Sequence, residues 1–227
     1  MASGSTKTVM ATVVIAGLLC TCAEAKTVYY SDSVALTKTD WTALVSVPKF
    51  DCSLGILKSV TCKLSGHVEG ITRLESGDSE PATVTMDIWA IMELLRPDSS
   101  TIVTAIPSTT ISYSVSAFDG ELDFAGPSGR TSSDLTAELS ETVTSSSPTD
   151  LALFTGVGDI DLPIVADAST TGSGAGNLTL RFAMSASADM EVVYNYASFA
   201  PEPGALAMLL LGIPAIVRRS ANRERRH

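Results

Sequence analysis

Residues 177–196 read Asn177-Leu-Thr-Leu-Arg-Phe-Ala-Met-Ser-Ala-Ser-Ala-Asp-Met-Glu-Val-Val-Tyr-Asn-Tyr196 and alternate between apolar and polar side chains. Successive side chains of a β-strand point to opposite faces, so this alternation predicts a strand with one buried and one exposed face. At about 3.3 Å per residue, the strand is longer than most strands in proteins. We therefore expect a bend or bulge near Ser185–Ser187 that lets it serve two sheets.

Thr83–Leu94 alternates in the same way, with Val84, Met86 and Ile88 on the apolar face. About nine such segments with one polar face each predict an all-β fold, an antiparallel β-sandwich of the jelly-roll kind. The other seven predicted strands are Val28–Leu36, Trp41–Val47, Ile56–Val68, Ile102–Ile106, Ile111–Phe118, Leu135–Val143 and Ile160–Ala166.

The first 25 residues are typical of an export signal. Lys7 supplies a positive charge, Val9–Cys22 is apolar, and Ala23-Glu24-Ala25 fits the small-residue site at which a signal peptide is cleaved. We predict a signal peptide over residues 1–25 that hands the chain to the secretion machinery, and a mature chain that begins at Lys26.

The last 27 residues combine a Pro-Glu-Pro motif (Pro201, Glu202, Pro203), an apolar run at Ala205–Val217 and a basic tail. As a helix the run is about 20 Å long, which makes it a marginal membrane span. Basic flanks stay in the cytoplasm, so residues before Pro201 are expected on the far side of the membrane. The arginines that set this topology are Arg218, Arg219, Arg223, Arg225 and Arg226.

This order of motif, short apolar helix and basic tail resembles the PEP-CTERM sorting signal of exported proteins in Gram-negative bacteria. The resemblance implies that exosortase, a membrane-embedded protease-transpeptidase, recognises Pro201, Glu202 and Pro203 and removes the tail. Gly204 stands where Ser or Thr is common, and Pro214 interrupts the apolar run. An ordinary single-span anchor is the alternative.

Residues 26–200 resemble the choice-of-anchor E domain. Trp41, three segments and the Gly-rich Ser173–Asn177 carry the likeness. The resemblance implies an exported, sorted domain and supplies no activity, ligand or cofactor. The segments are Phe50-Asp51-x-x-Leu54-Gly55-x-Leu57, Phe118-Asp119-Gly120-x-Leu122-Asp123-Phe124-x-Gly126-x-Ser128-Gly129 and Asp150-Leu151-x-x-Phe154-x-Gly156-x-Gly158.

The charge of the body is strongly acidic. Between Lys26 and Glu202 there are 9 Lys and Arg against 23 Asp and Glu. Nucleic-acid binding needs the opposite sign, because its affinity comes largely from neutralised phosphates. The balance therefore argues against a nucleic-acid partner.

Asp119 and Asp123 are weak candidates for metal binding, since calcium prefers carboxylate oxygens. Their spacing does not fit an EF-hand, and Asp119-Gly120 is also typical of a tight turn. The turn interpretation is the one we favour.

His67 is the single histidine of the mature body, and neither a Gly-x-Ser-x-Gly elbow nor a His-Glu-x-x-His motif is present. We therefore predict a surface histidine on a strand and no catalytic residues.

Cys52 and Cys62 are the two cysteines left after signal removal. In an oxidising compartment we predict a disulfide between them, with two separate thiols as the alternative.

Together these features predict a non-enzymatic protein without a cofactor, exported from a Gram-negative-type bacterium. It would pass through an inner-membrane intermediate to the cell surface or extracellular matrix. Exosortase would process it, and extracellular polysaccharide is a further expected partner. A calcium- or carbohydrate-binding surface module is one alternative, and a secreted hydrolase is another.

Overall fold

The long strand predicted at the end of the body lies at the centre of a sheet. The computed structural model describes residues 25–199, and Ala25–Ser198 is a compact unit. Its elements are β1 (Ala25–Lys38), β2 (Trp41–Pro48), β3 (Gly55–Ser76), β4 (Ala82–Leu95), β5 (Thr101–Ala105), β6 (Ser108–Val115), β7 (Gly129–Ser145), α1 (Pro148–Leu153), β8 (Asp159–Ser173) and β9 (Leu178–Ser198).

These strands form two antiparallel sheets, which confirms the predicted sandwich. The first sheet has the order β1-β9-β3-β7, and the second has the order β2-β8-β4-β5, with β6 also paired to β4. β5 pairs with the end of β4 and β6 with its beginning, so the two act as one interrupted strand. Early strands thus pair with late ones, β1 with β9, β2 with β8, β3 with β7 and β4 with β5 and β6, as in a jelly roll.

Several strands differ in their bounds from the predictions, and the differences in β9 and β3 matter most for the site. β9 stays in one sheet over its whole length, so the expectation that it serves two sheets is wrong. The irregularity lies in its neighbour β1, where the register shifts between Val34 and Thr37. β3 continues past the predicted end at Val68 to Ser76. The apolar Ile71 points outward and interrupts the alternation of apolar and polar residues, which is why the prediction stopped early. The register against β7 shifts at this place, between Gly70 and Thr72.

The helix α1 was not predicted, because six residues are too few to show a helical period. Local chemistry nevertheless starts it at a defined place. The Ser147 hydroxyl accepts the Asp150 N–H, and a proline occupies the first turn, where it needs no N–H partner.

The inward faces of the two sheets form the main apolar core. Leu64 of β3, Met92 of β4, Leu162 of β8 and Met190 of β9 are all fully covered there. A second cluster fills the end of the sandwich beyond them and contains Leu74, Val84, Met86 and Val115. Alternation in the sequence therefore identified the core-facing residues of β4 and β9 correctly.

An aromatic cluster closes the core near the ends of the described chain. The Tyr194 ring lies 5.9 Å from Phe50 and 6.2 Å from Phe154, and its hydroxyl donates to the Pro48 carbonyl at 2.9 Å. Burial raises the pKa of Tyr194 well above its ordinary value. Phe50 also bonds through its backbone to Phe154 and Gly156, so two of the three segments quoted for the choice-of-anchor resemblance meet here.

Residues 1–24 of the predicted signal peptide and the whole C-terminal signal lie outside the described residues. This includes Pro201, Glu202 and Pro203 and the five topology-setting arginines, Arg218, Arg219, Arg223, Arg225 and Arg226. Among residues 25–199, no helix has the length and apolar character that crossing a membrane requires.

Candidate functional site

The segment between β6 and β7 folds over one end of the sandwich and holds both metal candidates in turns. The Asp119 carboxylate accepts the N–H of Glu121 at 3.1 Å, and Asp123 accepts the N–H of Ala125 at 2.8 Å. Such bonds to the second following residue are typical of Asx turns. Gly120 has a φ of +100°, which a side chain would strain. The turn interpretation of Asp119-Gly120 is therefore confirmed.

No group of three His, Cys, Asp or Glu side chains among the described residues is arranged to hold a metal ion. Asp119 and Asp123 each commit one carboxylate oxygen to a backbone N–H. Calcium binding by this pair stays a prediction.

Below this segment lies a buried carboxylate that sequence reasoning missed. Glu75 is fully covered, and one of its oxygens accepts the Phe124 N–H at 2.7 Å. The other oxygen, Oε1, has no hydrogen-bond partner. Phe124 itself adopts a φ of +59° and places its ring under the Arg181 guanidinium, at 5.0 Å. Glu75 lies on the face of β3 that alternation marks as exposed, so only the covering loop buries it.

His67 lies on the outward face of β3, as predicted for a strand histidine. Its Nδ1 is 3.1 Å from a Glu138 oxygen, and its Nε2 is 3.4 Å from a Glu69 oxygen. Both ring nitrogens therefore face carboxylates on an open surface. A serine nucleophile would need one of these nitrogens as its base.

The predicted disulfide between Cys52 and Cys62 is wrong for this structure, in which both are free thiols. Cys62 points into the core from β3, whereas Cys52 is exposed in the turn that follows Phe50. The two side chains therefore lie in different environments, although only ten positions separate them. Burial raises the pKa of the Cys62 thiol to about 12, with the nearby Asp150 charge as a smaller cause.

An open trough lies on the outward face of the first sheet. One part has a volume of about 770 Å³ and is lined by Lys38, Glu69, Thr136 and Ser185, among others. The next part, about 190 Å³, is lined by Arg73 and Arg181. Ile71 and Ala183 belong to both parts. We call this surface the arginine trough and define it by these eight residues.

The arginine trough exists because three strands are irregular at this place. The register shifts in β1 at Val34–Thr37 and between β3 and β7 at Gly70–Thr72. Such irregularities bend a sheet and redirect its side chains. The sequence offered one signal for it, Ile71, an apolar residue on the polar face of β3.

No protein-family model matches this chain, and no curated protein matches it. Solved structures of infectious bursal disease virus show a weak likeness. The viral particle has 13% identity and a TM-score of 0.23 over 88% of this chain and 46% of that one. For the Gx strain the values are 12%, 0.17, 87% and 47%. This chain thus spans about half the length of those proteins, and TM-scores this low carry no argument about function.

Proposed function

We propose that this chain is an exported, non-enzymatic β-sandwich protein that exosortase sorts through a PEP-CTERM signal at residues 201–227. Its destination is the cell surface or the extracellular matrix of a Gram-negative-type bacterium, where it associates with exopolysaccharide. The choice-of-anchor E resemblance of the body agrees with this role.

One observation supports the proposal above others, namely the bounds of the compact unit. It runs from Ala25 to Ser198, so it begins at the last residue of the predicted signal peptide and ends three residues before Pro201. Loss of residues 1–25 and of any part of residues 201–227 would leave nine strands in place, and only Ala25 would be lost from β1. Both removable segments therefore fall at the edges of a body that holds its own core.

The test is intact-mass spectrometry of the protein recovered from a host that contains exosortase. We expect a major species that begins at Lys26 and lacks Arg218–His227. Changing Pro201, Glu202 and Pro203 together to alanine should retain the basic tail, as should deletion of exosortase. A wild-type major species that keeps Arg218–His227 in the exosortase-containing host would contradict the proposal.

A further inference from the structure

Two arginines lie side by side on the first sheet of an acidic protein. Arg73 of β3 and Arg181 of β9 are direct cross-strand partners and are both exposed. Like charges directly opposite each other destabilise a sheet. The body has 9 basic residues against 23 acidic ones, so carboxylates were available as neighbours. Their placement together therefore favours a negative group beside them.

The described residues do not supply that group. Neither arginine forms an ion pair within 4.0 Å among them. Glu75 follows Arg73 on the same face, but it is buried and bonded to the Phe124 N–H. Arg181 instead lies over the Phe124 ring, 5.0 Å from its centroid, and is itself exposed.

Beyond the two arginines, the arginine trough is lined first by apolar and then by polar side chains. Ile71 and Ala183 form an apolar step, and beyond them lie Lys38, Glu69 and Ser185. Arg181 and Ser185 are four positions apart on β9, which corresponds to about 13 Å along the strand. A single small anion is too short to reach both ends. The surface instead suits an extended ligand with an anionic group at one end and hydroxyls along its length.

We propose that the arginine trough binds an acidic oligosaccharide, with a carboxylate or sulfate of the sugar on Arg73 and Arg181. Guanidinium groups bind such oxyanions through paired, charge-assisted hydrogen bonds. The sugar hydroxyls bond to Glu69, Thr136 and Ser185, since hydroxyls both donate and accept. His67, 3.4 Å from one Glu69 oxygen, orients that carboxylate. This inference rests on the proposed association with exopolysaccharide and specifies the kind of polymer.

The acidity of the rest of the body does not prevent such binding. At physiological salt the Debye length is about 8 Å, so most of its carboxylates are screened from a ligand on Arg73 and Arg181. The trough also lies far from the ends of the described domain. Arg181 is seventeen positions before Ser198 on β9, or about 56 Å along the strand.

The test is calorimetric titration of the full-length chain with oligogalacturonate, sulfated dextran and neutral dextran at about 0.15 M salt. We expect the acidic glycans to bind and neutral dextran not to. The variant R73Q/R181Q should bind about tenfold more weakly or worse, because charge-assisted hydrogen bonds are lost. The matched control K58Q/K63Q removes two positive charges from the same strand, β3, outside the trough, and should bind like the wild type.

The single variant R73Q keeps the contact between Arg181 and Phe124. It therefore tests binding even if R73Q/R181Q misfolds. It should weaken binding without lowering the melting temperature, because it also relieves the repulsion between the two arginines. Preference for oligogalacturonate or for sulfated dextran identifies the oxyanion, and either one supports the proposal. Equal binding of neutral dextran, equal loss in K58Q/K63Q, or binding of inorganic sulfate with neither polymer would overturn it. Normal tail processing in the exosortase-containing host together with absent glycan binding would defeat this inference alone, whereas glycan binding together with a wild-type tail retained in that host would defeat the sorting proposal alone.

Discussion

The guanidinium of Arg96 holds the carboxylate of Asp150 at two points: Nε donates to Oδ1 at 2.8 Å, and Nη2 donates to Oδ2 at 3.2 Å. The Ser145 hydroxyl donates to the same Oδ2 at 2.6 Å. Asp150 is only 7% exposed, so this pair connects the end of β4 to the start of α1 in a mostly dry environment. It is the best-formed ion pair among the described residues.

Replacing Arg96 with alanine should lower the free energy of unfolding by about 2–4 kcal/mol. The reason is that removing one partner leaves a buried charge without compensation. Urea unfolding followed by circular dichroism measures the change. Glu138→Ala is the control, because it removes a partner of the exposed His67 and should change stability far less. Equal effects of the two substitutions would contradict this account.

Acid should unfold the protein partly through Asp150. Its hydrogen bonds to Arg96, and then those to Ser145 and Ser147, lower the pKa of Asp150 from 3.8 to about 2. A lowered pKa means that the stabilisation is complete above about pH 4 and is lost as the pH falls through 2. Melting curves recorded between pH 6 and pH 2 measure this effect. The melting temperature of Asp150→Asn should fall less at low pH than that of the wild type.

Some acid dependence should remain in that variant. Hydrogen bonds from Ser53 lower the pKa of Asp51, and those from Ser100 lower the pKa of Asp98. Identical acid limbs for the wild type and Asp150→Asn would show that Asp150 does not contribute.

Cys52 and Cys62 should differ sharply in reactivity. Cys52 is exposed and should react with a thiol reagent in the folded protein, whereas the buried Cys62 should react only in denaturant. In a chain that begins at Lys26, a colorimetric thiol count should therefore give about one before unfolding and two after it, without reductant. Cys52→Ser should abolish the native reaction. A thiol count of zero in denaturant would instead support the predicted disulfide between Cys52 and Cys62.

Glu75 should control the order of the loop above it. Glu75→Ala removes the acceptor of the Phe124 N–H and should cost about 1–3 kcal/mol. Hydrogen exchange of the Phe124 amide should accelerate with it. Glu75→Gln keeps one carbonyl acceptor, so that amide should stay largely protected. Unchanged exchange in the alanine variant would show that the carboxylate does not hold the loop.

Alternation predicted the sandwich because it depends only on the two faces of each strand. It identified the buried faces of β4 and β9 down to residues such as Met92 and Met190. It could not show which outward residues acquire neighbours from elsewhere in the chain. Trp89 and Ile91 lie on the outward face of β4, although they are apolar, and Glu75 is buried by a loop some fifty positions later.

The site was harder to predict than the fold for the same reason. The arginine trough depends on register shifts in β1 and β3 and on the pairing of Arg73 with Arg181, which lie 108 positions apart. No local pattern fixes such a register. The disulfide prediction failed because spacing alone does not show that Cys62 faces the core.

The position of β9 determines when the strands of the first sheet can pair. β9 is the last of the described strands to be made, yet it separates β1 from β3 in the finished sheet. Until β9 has been synthesised, β1 has no neighbour in its own sheet and the aromatic cluster lacks Tyr194. Contacts between such distant parts of a chain form slowly. If the chain is exported as proposed, its first strand must therefore wait outside the membrane, unpaired, for the arrival of nearly the entire polypeptide.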